Sequence, residues 1–75
     1  MNDKFYTELG SELKAGRKFK GYTQQYVADR IKVSRSCIAS WENGARQITI
    51  DDVFKLCDLY GLDVNVLVKR VKKYL

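Results

Sequence analysis

Between Thr23 and Gly44 the chain reads TQQYVADRIKVSRSCIASWENG, and its hydroxyls, apolar residues and closing glycine constrain the local structure tightly. Thr23 is a good N-cap for a helix over Gln24 to Ile31, with Val27, Ala28 and Ile31 turned inward. Ser34 caps the next helix, Arg35 to Asn43, whose inner side holds Cys37, Ile38 and Trp41. Asn43-Gly44 ends it in the left-handed conformation that glycine tolerates. Only Lys32 and Val33 lie between the first helix and the cap of the second. The two short helices must therefore meet across a tight turn.

The flanking sequence supplies the rest of a helical domain. Asp3 suits the N-cap or first turn of an opening helix in which Phe5, Leu9 and Leu13 recur every four residues. That pattern fades from Lys18 to Lys20, and Gly21 stops it. Gly10 and Gly16 each weaken this helix by roughly 1 kcal/mol against alanine, unless their bare backbone lets a neighbouring helix approach. Thr49 and Asp52 form a capping-box-like pair before a stripe of Val53, Leu56, Cys57 and Tyr60, closed by Gly61. Asp63 opens a last helix with Leu67, Val71 and Leu75 on one face and Lys69, Arg70, Lys72 and Lys73 elsewhere. With no proline, repeat or linker, the expectation is an all-α fold: one compact five-helix domain over residues 1–75. Phe54, Tyr60, Val66, Leu67, Val68, Val71 and Tyr74 offer more apolar surface than one small core needs, which predicts dimerisation through the last two helices.

Composition removes several classes. The 75 residues are 45% hydrophobic, too apolar for a disordered chain and near the lower size limit for an unassisted core. No apolar run approaches the roughly 18 residues that span a bilayer, and no secretory signal precedes the first helix, so a cytoplasmic location without a membrane partner is expected. There is no histidine, and Cys37 and Cys57 have no metal-ligand spacing, so neither metal nor cofactor is expected. The cysteines read as small buried residues, with a redox-sensing thiol at Cys37 or a disulfide as alternatives. Asp51 and Asp52 lack a histidine or nucleophile beside them and serve as helix-start acids, so no enzyme is expected.

The net charge is +5, from 14 Lys and Arg against 9 Asp and Glu, and Arg30, Lys32, Arg35 and Arg46 crowd around the central segment. Such a balance favours an anionic partner. At about 100° per residue, Arg35, Ser36, Ala39, Ser40 and Asn43 share one edge of their helix, opposite Ile38 and Trp41. An edge of small hydroxyls and one arginine fits a groove about 12 Å wide and carries donors for base edges. By itself the same edge also fits a solvated face of a helical bundle.

The run GYTQQYVADRIKVSRSCIASWENGARQITIDDVFKLCDLYGLDVNVLV resembles the lambda-repressor-like (Xre/Cro) helix-turn-helix family. The resemblance covers about Leu9 to Val68. It rests on Thr23-Gln24, Ala28, Val33-Ser34, Arg35-Ser36, Ile38, Trp41-Glu42, Asn43-Gly44, Leu56 and Gly61-Leu62. It implies a helix-turn-helix at about residues 23–44, with Arg35, Ser36, Ala39 and Ser40 where the family reads bases. Gln24 with Thr23 beside it, Asn43 and Arg46 fall where the family holds phosphates, and Arg17 and Glu42 where an ion pair joins the first and third helices. Two positions depart from the pattern: Lys32 replaces a turn glycine, implying a non-glycine residue at positive φ, and Ile48 replaces a loop proline.

The implied function is a sequence-specific transcriptional regulator of double-stranded DNA, binding a roughly palindromic operator as a homodimer. The alternative is an antitoxin or a protein-interaction module contacting RNA polymerase. The short chain favours a small phage repressor or a restriction-modification controller.

Overall fold

Five α-helices and a terminal 3-10 turn make up the fold of the computed structural model, which describes residues 3–75 and holds no strand among them. They are α1 (Asp3–Phe19), α2 (Gln24–Ile31), α3 (Arg35–Glu42), α4 (Ile50–Tyr60) and α5 (Val64–Val71), followed by Lys72–Tyr74. Each boundary has a local chemical cause. The hydroxyls of Thr23, Ser34 and Thr49 accept from the N–H groups of Tyr26, Cys37 and Asp52, and the Asp63 carboxylate accepts from Asn65 N–H. Gly21, Gly44 and Gly61 leave their helices at φ of 77°, 76° and 69°, where a side chain would be strained. At α4 the capping box takes a shorter form: the Thr49 hydroxyl donates to Asp52 Oδ2 at 3.0 Å, consistent with the reach of aspartate.

Lys32 lies at φ 62° and ψ 49°, the left-handed conformation expected of the turn. Its N–H, like that of Val33, reaches the Ala28 carbonyl and closes α2. A lysine there is strained by roughly 1–2 kcal/mol, which burial along the shared face of α2 and α3 offsets.

The core is built where those faces meet. Leu9 and Leu13 of α1 close on Val27 and Ala28 of α2, Ile38 and Trp41 of α3, Val53, Leu56, Cys57 and Tyr60 of α4, and Leu67 and Val71 of α5. Fully burying a leucine or isoleucine contributes roughly 1.5–3 kcal/mol, so this cluster outweighs the weak propensity of the eight-residue helices. Ile48, expected only as a loop departure, is buried among these residues and anchors the segment before α4. Both cysteines are free and buried, so the disulfide alternative falls. Burial, reinforced by the nearby Asp63 charge, pushes the Cys57 thiol pKa up.

Two expectations at the C-terminal end are corrected. Leu75 does not continue the face of Leu67 and Val71: α5 ends at Val71, the chain tightens into a 3-10 turn, and Leu75 is 77% exposed. Nor can Tyr60, Leu67 and Val71 serve an interface between copies, because the core has taken them. Phe54, Val66 and Val68 remain exposed.

Tyr60 carries a testable consequence. Its hydroxyl is buried with no hydrogen-bond partner among the described residues, and desolvation, then the Glu42 charge, raises its pKa far above the ordinary 10.0. An unfolded chain ionises near that ordinary value while the folded chain keeps its proton. Stability is therefore intact below pH 10 and falls as pH rises beyond it, by at most about 1.4 kcal/mol per unit. Urea unfolding between pH 9 and 11 checks this, and Tyr60→Phe is expected to lose less stability across the same interval.

Candidate nucleic-acid interface

Turned away from the core, α3 presents the polar edge read from the sequence. Arg35 and Ser36 stand exposed at its start, Ala39 and Ser40 are half-buried on its two shoulders, and Asn43 is exposed at its end. The edge is rigid because both ends of the helix are tied. Ser34 Oγ accepts from Cys37 N–H at 3.1 Å and lies 3.1 Å from Ser36 Oγ. At the other end Asn43 Oδ1 accepts from Ala45 N–H at 2.9 Å, while the Ser40 carbonyl takes the N–H groups of Ala45 and Arg46. These bonds leave the Asn43 amide group free to donate outward. The Arg35 guanidinium makes no hydrogen bond or ion pair among the described residues, so its five donors are open to a ligand.

Arg46 lies beside this edge, with one guanidinium nitrogen 3.6 Å from Cys37 Sγ. Thr23 and Gln24 sit at the start of α2. The Thr23 hydroxyl accepts from Tyr26 N–H at 3.0 Å, which leaves its own proton to give. Gln24 is less free than the sequence suggests, because its Nε2 donates to Glu42 Oε1 at 3.1 Å.

That bond ties Gln24 to a buried network. Arg17 Nε donates to Glu42 Oε2 at 2.6 Å and Arg17 NH2 to Oε1 at 3.0 Å, a two-pronged bridge between α1 and α3. Arg17 NH1 donates to the Tyr22 carbonyl at 2.8 Å, closing the turn before α2. The hydrogen-bonded Glu42 carboxylate is the largest influence on Arg17 and raises its pKa further. Three helices are thus registered by one carboxylate. Sequence reading did not include Gln24 and Tyr22 in this network: Gln24 lies 18 residues from Glu42, and the Tyr22 carbonyl, 5 residues from Arg17, is a backbone partner that no side-chain pattern marks.

Chemically the surface offers an arginine unpaired among the described residues, two hydroxyls and a methyl on a helix edge, flanked by amide and guanidinium donors. Donors of this kind suit base edges in a wide groove and the phosphates beside it. No helix among the described residues is long and apolar enough to cross a membrane.

Comparison with known proteins identifies the helix-turn-helix. The family model HTH_3, described as Helix-turn-helix, matches residues 13–67. The chain is 30% identical over 62 residues to the HTH-type transcriptional regulator ImmR of Bacillus subtilis (strain 168), an alignment covering 83% of this chain and 49% of ImmR. It is 32% identical over 57 residues to the HTH-type transcriptional regulator AnsR of the same organism, covering 76% of this chain and 49% of AnsR. A third relative there, the SPbeta prophage-derived uncharacterized HTH-type transcriptional regulator YonR, is 31% identical over 61 residues, or 81% and 56% of the two chains. The chain therefore spans about half the length of these relatives.

Proposed function

This chain belongs to the helix-turn-helix family HTH_3, and on that premise we propose that it is a sequence-specific regulator of transcription that docks as a homodimer on a roughly palindromic duplex operator. In this reading α3 enters the major groove and α2 lies across the backbone. The observation that carries it is the edge of α3: Arg35 and Ser36 exposed at the head of a helix locked at both ends, with no partner for the arginine among the described residues. Arg35 takes a guanine by two parallel bonds, Ser36 and Ser40 meet base edges, and the Ala39 methyl meets a thymine methyl. Thr23, Gln24, Asn43 and Arg46 hold phosphates around them. The names of ImmR, AnsR and YonR, each an HTH-type transcriptional regulator, support the regulatory role.

The test separates base reading from phosphate holding. Arg35→Ala is expected to weaken a selected duplex by about 1–3 kcal/mol per half-site and to relax preference at one base pair. Arg46→Ala should weaken cognate and scrambled duplexes alike and flatten the salt dependence by about one counterion per contact. Binding of both variants to both duplexes across a salt series checks this. Equal loss on cognate and scrambled DNA for Arg35→Ala would remove α3 as the reading helix.

Phe54, Val66 and Val68 support the dimer: they are large apolar side chains, each roughly half exposed, on α4 and α5. A self-complementary pairing places half-sites about 34 Å apart, one duplex turn. Sedimentation of the chain with a two-half-site duplex should give two copies per duplex, and Phe54→Asp with Val68→Asp should reduce this to independent single-copy binding.

A further inference from the structure

Along α1, Thr7, Ser11 and Lys14 recur at helical spacing on one exposed face, a span of about 10.5 Å. That face lines an open groove of about 320 Å³ together with Ala39 and Asn43 of α3 and with Gln24. None of the three α1 side chains makes a hydrogen bond or ion pair among the described residues, so two hydroxyl donors and an ammonium stand open along it. The carboxylate that reaches the groove, Glu42, is neutralised there by Arg17, with Gln24 donating to the same oxygen pair. The groove thus combines cationic and donor groups, and its one carboxylate is already bonded on both oxygens.

We infer that this groove is a seat for nucleic-acid phosphates: Lys14, Thr7 and Ser11 hold the backbone of the strand beside the bases that α3 meets. The inference rests on the proposal that α3 reads duplex DNA, and extends the interface beyond the paired helices onto α1. The occupant follows from continuity, because Ala39 and Asn43 belong both to the α3 edge and to the groove wall. A strand whose bases lie against that edge must carry its backbone along one of the two flanks. The flank toward α1 is lined by the open donors of Thr7, Ser11 and Lys14. Its close fit comes from α1 itself: at Gly44, a Cβ would lie 2.7 Å from Cα and Oγ1 of Thr7, so the end of α3 packs directly on this face.

The experiment uses the whole chain and a duplex recovered by it from a random-sequence pool. Lys14→Ala is expected to bind several-fold more weakly and to lower the slope of log affinity against log salt by about one unit. Thr7→Ala combined with Ser11→Ala should weaken binding with the slope unchanged, and Lys55→Ala, a cation outside the groove, serves as the charge control. Neutral methylphosphonate is then placed at each backbone position in turn. One position should cost the wild-type chain several-fold and cost Lys14→Ala nothing. All these sites are exposed, and unchanged melting temperatures verify the fold. If the wild-type chain recovers no duplex, the duplex reading and the groove fall together. If it binds but Lys14→Ala matches Lys55→Ala in affinity and slope, or no methylphosphonate position is silent in the variant, only the groove falls.

Discussion

Glu42→Ala is expected to cost the fold about 3–5 kcal/mol, the range for removing one partner of a buried ion pair. Arg17 is only 6% exposed and Glu42 8%, so the guanidinium left behind would have neither its carboxylate nor ready access to water. Its remaining bond, to the Tyr22 carbonyl, satisfies one nitrogen and no charge. Against a total stability of roughly 5–15 kcal/mol for proteins in general, and for a domain near the lower size limit, the loss takes a large part of the margin. It also frees Gln24, whose amide is oriented by the same carboxylate. Replacing both charges together, Arg17→Met with Glu42→Leu, should recover most of the loss, since an apolar pair of similar volume avoids desolvating two ions. Urea unfolding of the two singles and the double closes the cycle. A Glu42→Ala variant within 1 kcal/mol of the wild type would mean that the pair is solvated in solution. The pH sign is clear for the arginine: its raised pKa gives stability that is fully present below the ordinary arginine pKa and is lost only above it. This loss should therefore be the same at pH 6 and pH 9 as far as Arg17 decides it.

The second large effect is expected at Gly10. A methyl added there would overlap the Trp41 carbonyl oxygen and lie 2.7 Å from that of Glu42. The obstructing atoms are backbone, so α1 and α3 must separate rather than a side chain turn aside. Overpacking of this kind costs about 1–3 kcal/mol, occasionally more, and the upper end is expected where nothing flexible can yield. The roughly 1 kcal/mol that alanine gains in helix propensity offsets only part of it. Gly16 provides the contrast: its added Cβ would meet chiefly the end of the Leu62 side chain, at 2.8 Å. Thermal unfolding should therefore show Gly10→Ala melting many degrees below the wild type and Gly16→Ala close to it. Equal melting of the two would mean that α1 and α3 are not in close backbone approach.

Much of the architecture was legible because its causes are local. Thr23, Ser34, Thr49 and Asp63 cap helices by reaching N–H groups two or three residues away, and such bonds can be read directly from spacing. The glycines at 21, 44 and 61 end helices for an equally local reason, a positive φ. The division of α3 into an apolar side and a polar edge follows from its period alone. The resemblance to helix-turn-helix proteins added what spacing could not: the pairing of Arg17 with Glu42, which the structure shows, and the proposal that Arg35, Ser36, Ala39 and Ser40 meet bases.

What only the tertiary structure decided depends on how helices lie against one another. Leu75 has the right period for the core but falls beyond the end of α5, and Ile48 has no helical period yet is buried. Gln24 carries a side chain suited to a phosphate, and the approach of α2 to α3 gives it Glu42 as well. Thr7, Ser11 and Lys14 are unremarkable in sequence, three polar residues on a long helix, until Gly10 and Gly44 bring α1 against α3 and make them the wall of a groove. Caps and periods act within a turn or two of helix and so are written in neighbouring residues. Crossing angles and shared grooves are set by which backbones can touch, and no run of neighbouring residues encodes that.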